Sequence, residues 1–290
     1  MKRINILMMV PLLLPLLVGC KPKTPIEFVP VSYYSDTLDP KMDSLNYSEN
    51  NEDISFEINL MLLQENPKYP QLRRINLSIL ETAMGNDYFP LDTALTGRAA
   101  IDYYCSHMRE VRAASQSMAY EAGGLSDMSL MEEEEMPWSI SIKANPTLQT
   151  KKLLSYAVAS EMYMGGAHGM HTVFYNHYAC ATGARLTIDS LFVWNKENHL
   201  AIEKLIYEGL QRMCETDTLG VFHMDDFTFT PDGTHMIDNY LINNESVTFY
   251  FNPYDIAPYS MGGISVEIPS YELYDYLRQD APLYQFWFSK

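Results

Sequence analysis

Apolar and polar positions along the chain alternate between two periods. Residues 54–64 place Ile54, Phe56, Ile58, Leu60 and Leu62 at every second position, the period of a half-buried strand. After Pro67 and Pro70 the spacing lengthens. Leu72, Ile75, Ile79, Leu80 and Ala83 share one face of a helix, and residues 97–122 form a second helix with Ile101, Tyr104, Cys105, Met108, Val111 and Met118 inside. Gly123-Gly124 marks its end.

Beyond that point strands return. Residues 138–143 and 153–164 read as strands, followed by a hairpin of 172–178 with 185–188 around Ala181-Thr182-Gly183-Ala184, so this part is expected to be an antiparallel meander. Residues 198–215 carry Leu200, Ile202, Leu205, Ile206, Leu210 and Met213 at helical spacing. Strands are expected at 227–230, 247–251 and 264–268, a closing helix at 271–277, and an aromatic edge segment at 283–288. Strands and helices are segregated without a βαβ rhythm. The expected class is α+β, antiparallel sheets with packed helices in two small subdomains.

The N-terminus carries a different signal. Lys2 and Arg3 precede an apolar stretch over residues 6–18, and Leu17-Val18-Gly19-Cys20 has the small-residue-then-cysteine pattern of a bacterial lipoprotein signal. Residues 1–19 are therefore expected to be removed and Cys20 to carry lipid, giving an exported protein anchored to a membrane at the periplasm or outer envelope. Residues 20–53, rich in Pro, Ser, Asn and Asp, read as a tether.

Charge narrows the partners. Twenty Lys and Arg stand against 37 Asp and Glu, a formal charge of −17, which repels phosphate backbones and makes nucleic acid a poor partner. Glu132 to Glu135 read as a solvated loop. Besides Cys20 there are Cys105, Cys180 and Cys214, an odd number without a CxxC pair, expected to be buried thiols.

Templates for catalysis are missing: no GxSxG elbow, no phosphate loop, no GxGxxG after a strand, no SxxK. The densest feature is Gly165-Gly166-Ala167-His168-Gly169-Met170-His171, with His177 beyond it. Its spacing does not favour zinc, because the segment reads as loop and lacks the Glu of HExxH. Neither a metal nor a cofactor is expected. The second feature is a Tyr-, Pro- and Gly-rich loop over residues 252–263, suited to recognition or to rigid packing.

Four motifs in order resemble the RsiV-like domain of unknown function. They are Gly165-Gly166-Ala167-His168; Thr182-Gly183 before Leu186-Thr187-Ile188-Asp189-Ser190-Leu191-Phe192; Thr230-Pro231-Asp232-Gly233; and Phe249-Tyr250-Phe251-Asn252-Pro253-Tyr254-Asp255-Ile256-Ala257-Pro258-Tyr259 with Gly262 or Gly263. Upstream, Tyr69-Pro70 and Ile75-Asn76 are similar to the smaller domain found before it and in PdaC-type peptidoglycan deacetylases. The resemblance implies two domains, PdaC-like over residues 54–150 and RsiV-like over residues 151–290, and a lysozyme-binding receptor region rather than a catalyst. The deacetylase domain has no counterpart here, nor has a transmembrane or sigma-binding segment.

The expected function is a non-catalytic binding module of the cell envelope, for a lysozyme-like basic protein or for cell-wall glycan. Its candidate surface joins Gly165, Gly166, His168 and His171 to Tyr254, Asp255, Tyr259, Gly262 and Gly263. The competing reading is a peptidoglycan-directed hydrolase using the His168/His171 loop, and a purely structural envelope component is the third.

Overall fold

A computed structural model describes residues 32–33, 41–85, 92, 94–95, 97–123 and 136–288. Residues 1–19, Cys20, Gly124 and the Glu132 to Glu135 run lie outside them. Ten strands and six helices follow in order: β1(Ser32–Tyr33), β2(Met42–Asn50), β3(Ile54–Leu63), α1(Pro70–Met84), α2(Arg98–Gly123), β4(Trp138–Gln149), β5(Leu153–Tyr163), β6(Met170–Ala179), β7(Arg185–Leu186), α3(Ile188–Leu191), α4(Lys196–Thr216), β8(Tyr240–Ile242), β9(Ser246–Phe251), β10(Ile264–Pro269), α5(Ser270–Leu273) and α6(Pro282–Phe288). The fold is α+β.

The larger sheet runs β2-β3-β4-β5-β6-β7, with β1 paired to the far end of β4. From β4 to β7 it is the expected antiparallel meander. The β3–β4 pair is parallel, because the chain crosses back through α1 and α2 before re-entering the sheet. That crossover lays both helices on one face. Even-numbered residues from Ile54 to Leu62, with Trp138, Ile140, Ile142, Leu154, Tyr156 and Val158, pack there against Leu72, Ile75, Ile79, Ile101 and Tyr104.

Among the described residues, the opposite face is covered at one end only. Leu148 and Leu153 point into a second core with α4 and the smaller antiparallel sheet β10-β9-β8, built on Ile202, Ile206, Leu210, Phe249, Val266 and Ile268. The 150/151 division falls in the turn between β4 and β5, which pair from Ser139↔Tyr163 to Gln149↔Leu154 with one bulge between Pro146 and Leu148. One sheet thus serves both halves.

Three expectations on local structure are corrected. Residues 42–50, read as tether, form β2 along the full length of β3. Its half-buried Met42, Leu45 and Tyr47 pack on the first core, and Glu49 pairs with Arg109 of α2, whose guanidinium also lies 5.4 Å from the Phe56 ring centre. Residues 227–230 are not a strand: Phe227 and Phe229 are buried, but the Thr228 N–H donates to the Ile256 carbonyl without continuing a ladder. Residues 283–288 are helix rather than edge, with Pro282 at the start of α6, where its missing N–H costs nothing. Of the three thiols Cys105 is buried, whereas Cys180 and Cys214 are half-buried, and all are free.

Candidate functional site

β5 and β6 end in a tight hairpin, and that hairpin carries the first loop. Gly165 and Gly166 sit at φ 92° and 88°, the left-handed region where a Cβ is strained, although a methyl there would meet open space. Their role is the turn. His168 follows at the tip and His171 lies half-buried at the start of β6, directly opposite Glu161 of β5.

The 252–263 loop leaves β9 and folds over this tip. The Asn252 N–H donates to Asp255 Oδ2 at 2.7 Å and the Asp255 N–H returns to the Asn252 carbonyl at 3.0 Å, a self-bonded turn. Partial burial raises the Asp255 pKa, opposed by that N–H. At the crest Tyr254 takes φ 75°, the one positive φ at a non-glycine position among the described residues, with its side chain 57% exposed. An exposed aromatic in a strained backbone is held there by its surroundings.

The two loops meet through rings. His168 stacks on Tyr259 with centroids 3.9 Å apart at 18°, Tyr254 lies 5.4 Å from Tyr259, and His171 lies 5.9 Å from it. His168 Nδ1 donates to the Gly169 carbonyl at 3.0 Å, leaving Nε2 to accept from the Tyr254 hydroxyl at 3.3 Å. The Tyr259 hydroxyl donates to the same Gly169 carbonyl. Gly262 closes the loop at φ 72°, and a Cβ on Gly263 would lie 2.0 Å from the Tyr250 hydroxyl, so any larger residue must displace that ring. Thus His168, His171, Tyr254 and Tyr259 form one cluster. Asp255 and the four glycines shape it.

Sequence reasoning missed what fastens the loop to the sheet. Val173 sits on the edge of β6 that β7 does not reach. Its N–H donates to Asn252 Oδ1 at 2.7 Å, and its carbonyl accepts from Asn239 Nδ2 at 2.8 Å and Asn252 Nδ2 at 3.2 Å. The Tyr175 N–H donates to Asn239 Oδ1 at 3.0 Å. Two side-chain amides stand in for a missing strand.

Also unforeseen is a cavity of about 390 Å³ beside that edge. Thr172 and Phe174 form one wall, Met236, Asp238 and Asn239 another, and Tyr250, Pro253 and Asp255 close it. It adjoins the aromatic cluster through Pro253 and Asp255.

One group has the composition of a metal site, Glu203, Asp232 and His235. Its geometry is that of an anchor. Fully buried Glu203 accepts from the backbone N–H groups of Asp232 (2.8 Å), Gly233 (2.6 Å) and His235 (2.8 Å), while the adjacent His199 Nε2 donates to the His235 carbonyl at 2.9 Å. Three backbone donors aimed at both oxygens engage the carboxylate as the acceptor of a turn, which takes up the lone pairs a cation would need. The Thr230-Pro231-Asp232-Gly233 motif is therefore the turn that α4 holds in place.

No helix among the described residues is long and apolar enough to cross a membrane. Residues 189–271 match DUF3298, a protein family of unknown function; the match includes the 252–263 loop and not the 165–171 hairpin. No curated protein matches the chain. Among solved structures, a DUF3298-family protein from Bacteroides fragilis is similar at 21% identity and TM-score 0.69, over 87% of this chain and 98% of that one. A DUF3298-family protein from Pseudomonas aeruginosa is similar at 18% identity and TM-score 0.57, over 88% and 99%. The shared architecture therefore runs well beyond the matched segment, and the chain carries a DUF3298 domain at residues 189–271.

Proposed function

We propose that this protein is a non-catalytic recognition module held at the cell envelope through a lipidated Cys20, and that its hairpin-and-loop surface binds a basic protein of the lysozyme type. The observation that carries the reading is Tyr254: exposed, at φ 75°, and braced by the His168–Tyr259 stack. Strain of about 1–3 kcal/mol held at a ring that is more than half exposed is not explained by core burial, which supports a surface organised for contact. Tyrosine offers a large amphipathic area with little rotamer entropy to lose. The formal charge of −17 favours a cationic partner and speeds encounter with it.

The test is calorimetric titration of lysozyme into the full-length protein in detergent, comparing the native chain with Tyr254→Ala. The reading expects saturable binding that weakens by roughly tenfold or more in the variant, the scale of an aromatic hot spot. Equal affinity in both would overturn it. Binding to soluble peptidoglycan fragments in place of lysozyme would assign the same surface to glycan.

A further inference from the structure

We infer that the cavity along the free edge of β6 is a docking groove for an extended segment of a protein partner, one carrying a cationic side chain next to an apolar one. This rests on the recognition reading above and specifies which chemistry is read beside the aromatic cluster. The groove holds about 390 Å³, enough for two or three side chains but small for a folded element.

Its walls differ in chemistry. Phe174 is 43% exposed and Met236 is 83% exposed, large apolar groups turned to solvent where the second core lies close by. Asp238 and Asp255 supply carboxylates, and no Lys or Arg is among the lining residues. His235 is the one lining residue able to become cationic, and its Nε2 is engaged with the Thr230 carbonyl at 2.7 Å. One Asp255 oxygen is taken by the Asn252 N–H, and partial desolvation disfavours its charge, a deficit that an incoming ammonium or guanidinium offsets.

The floor decides the mode of binding. Exposed strand edges commonly capture peptides by main-chain pairing. Here Asn239 and Asn252 already occupy the Val173 N–H and carbonyl and the Tyr175 N–H. A peptide arriving at this stretch finds no open ladder. It is read through side chains, with a cation toward Asp238 and Asp255 and an apolar group against Phe174 and Met236.

The experiment uses a fluorescein-labelled pentapeptide, Lys-Leu-Arg-Leu-Lys, read by anisotropy against the full-length protein, with empty micelles as blank. Three single variants separate local docking from bulk attraction: Asp238→Lys in the groove, Glu208→Lys on the exposed side of α4 outside it, and Met236→Glu. The first two change net charge equally. The third makes the chain more acidic, so bulk attraction alone would tighten binding. The groove reading expects a roughly tenfold loss for Asp238→Lys and for Met236→Glu, and less than about twofold for Glu208→Lys. Affinities that simply follow net charge would overturn it while leaving lysozyme recognition standing. Absence of peptide binding to the native chain would overturn it as well, and the lysozyme titration then decides the recognition reading separately. Thermal unfolding of each variant confirms that the exposed substitutions leave the fold intact.

Discussion

Asn252 pairs with Val173 as a neighbouring strand would, accepting from its N–H at 2.7 Å and donating to its carbonyl at 3.2 Å across 79 positions of sequence. Asn76 of α1 does the same to Leu63 at the end of β3, at 2.9 and 2.8 Å. In both cases a buried amide with one donor side and one acceptor side completes a strand edge that the sheet leaves open.

Asn252→Ala is expected to destabilise the protein by about 1–3 kcal/mol, because the Val173 N–H loses its acceptor in a buried position while the carbonyl keeps Asn239. Urea unfolding measures it as a lower midpoint with an unchanged slope. A midpoint within error of the native protein would contradict the strand-mimic role.

The acid side of stability is expected to depend on His177. It is fully buried between Ser155 Oγ (2.8 Å) and the Tyr240 carbonyl (2.9 Å), stacked on Tyr240, and burial lowers its pKa to about 4. Below its unfolded value of 6.5 the unfolded chain binds a proton that the folded chain refuses. Stability from this group is therefore complete above about pH 6.5 and declines as pH falls toward 4, by up to roughly 3 kcal/mol. Unfolding free energies across this range, native against His177→Gln, measure it: the variant should lose that part of the slope.

Two glycines separate backbone strain from crowding. Gly166 at φ 88° faces open space, whereas Gly183 at φ 66° would place a Cβ 2.6 Å from the Gln71 carbonyl of α1. Gly166→Ala is expected to cost about 1 kcal/mol, the left-handed penalty alone, and Gly183→Ala at least about 2 kcal/mol. Chemical denaturation ranks them. A reversed order would place α1 differently against the β6–β7 turn.

Tyr254 allows strain and recognition to be measured in one pair of variants. Because the position requires φ 75°, Tyr254→Gly is expected to be more stable than Tyr254→Ala by about 1 kcal/mol, although glycine normally loses that comparison. Both should bind lysozyme weakly. Equal stabilities would show that the crest relaxes once the ring is gone.

Removing the charge of Glu203 tests the anchor. Glu203→Gln replaces one acceptor oxygen by an NH₂ facing N–H donors, and is expected to cost about 2–3 kcal/mol. Thermal unfolding reads the loss, and zinc added to the native protein should not raise the midpoint. A zinc-dependent rise would reopen a metal role for Glu203, Asp232 and His235.

Much of the architecture is legible wherever burial follows a simple period. Ile54 to Leu62 alternate and form β3; Leu72 to Ala83 recur at helical spacing and form α1. Strand β2 escaped because one of its inward positions is Glu49, whose partner Arg109 lies sixty residues on. Phe227 and Phe229 alternate like a strand, yet period alone does not supply a neighbouring backbone. The near-continuous apolar run after Pro282 fits either element, and the proline at the helix start was the deciding signal. At the site, the His168 and Tyr254 loops could be picked from composition, since glycine and tyrosine there serve turns and contact. Asn239 and Asn252 could not, because an amide that mimics a strand is defined by a partner distant in sequence. The groove beside them shares that origin.

Recognition of a basic protein by the hairpin-and-loop surface is measured by titration of lysozyme into the full-length protein at about 20 mM and about 150 mM salt. Saturable binding is expected at both, weaker at the higher salt because the acidic surface is screened. No saturable heat at either salt, or an affinity indifferent to salt, would contradict it.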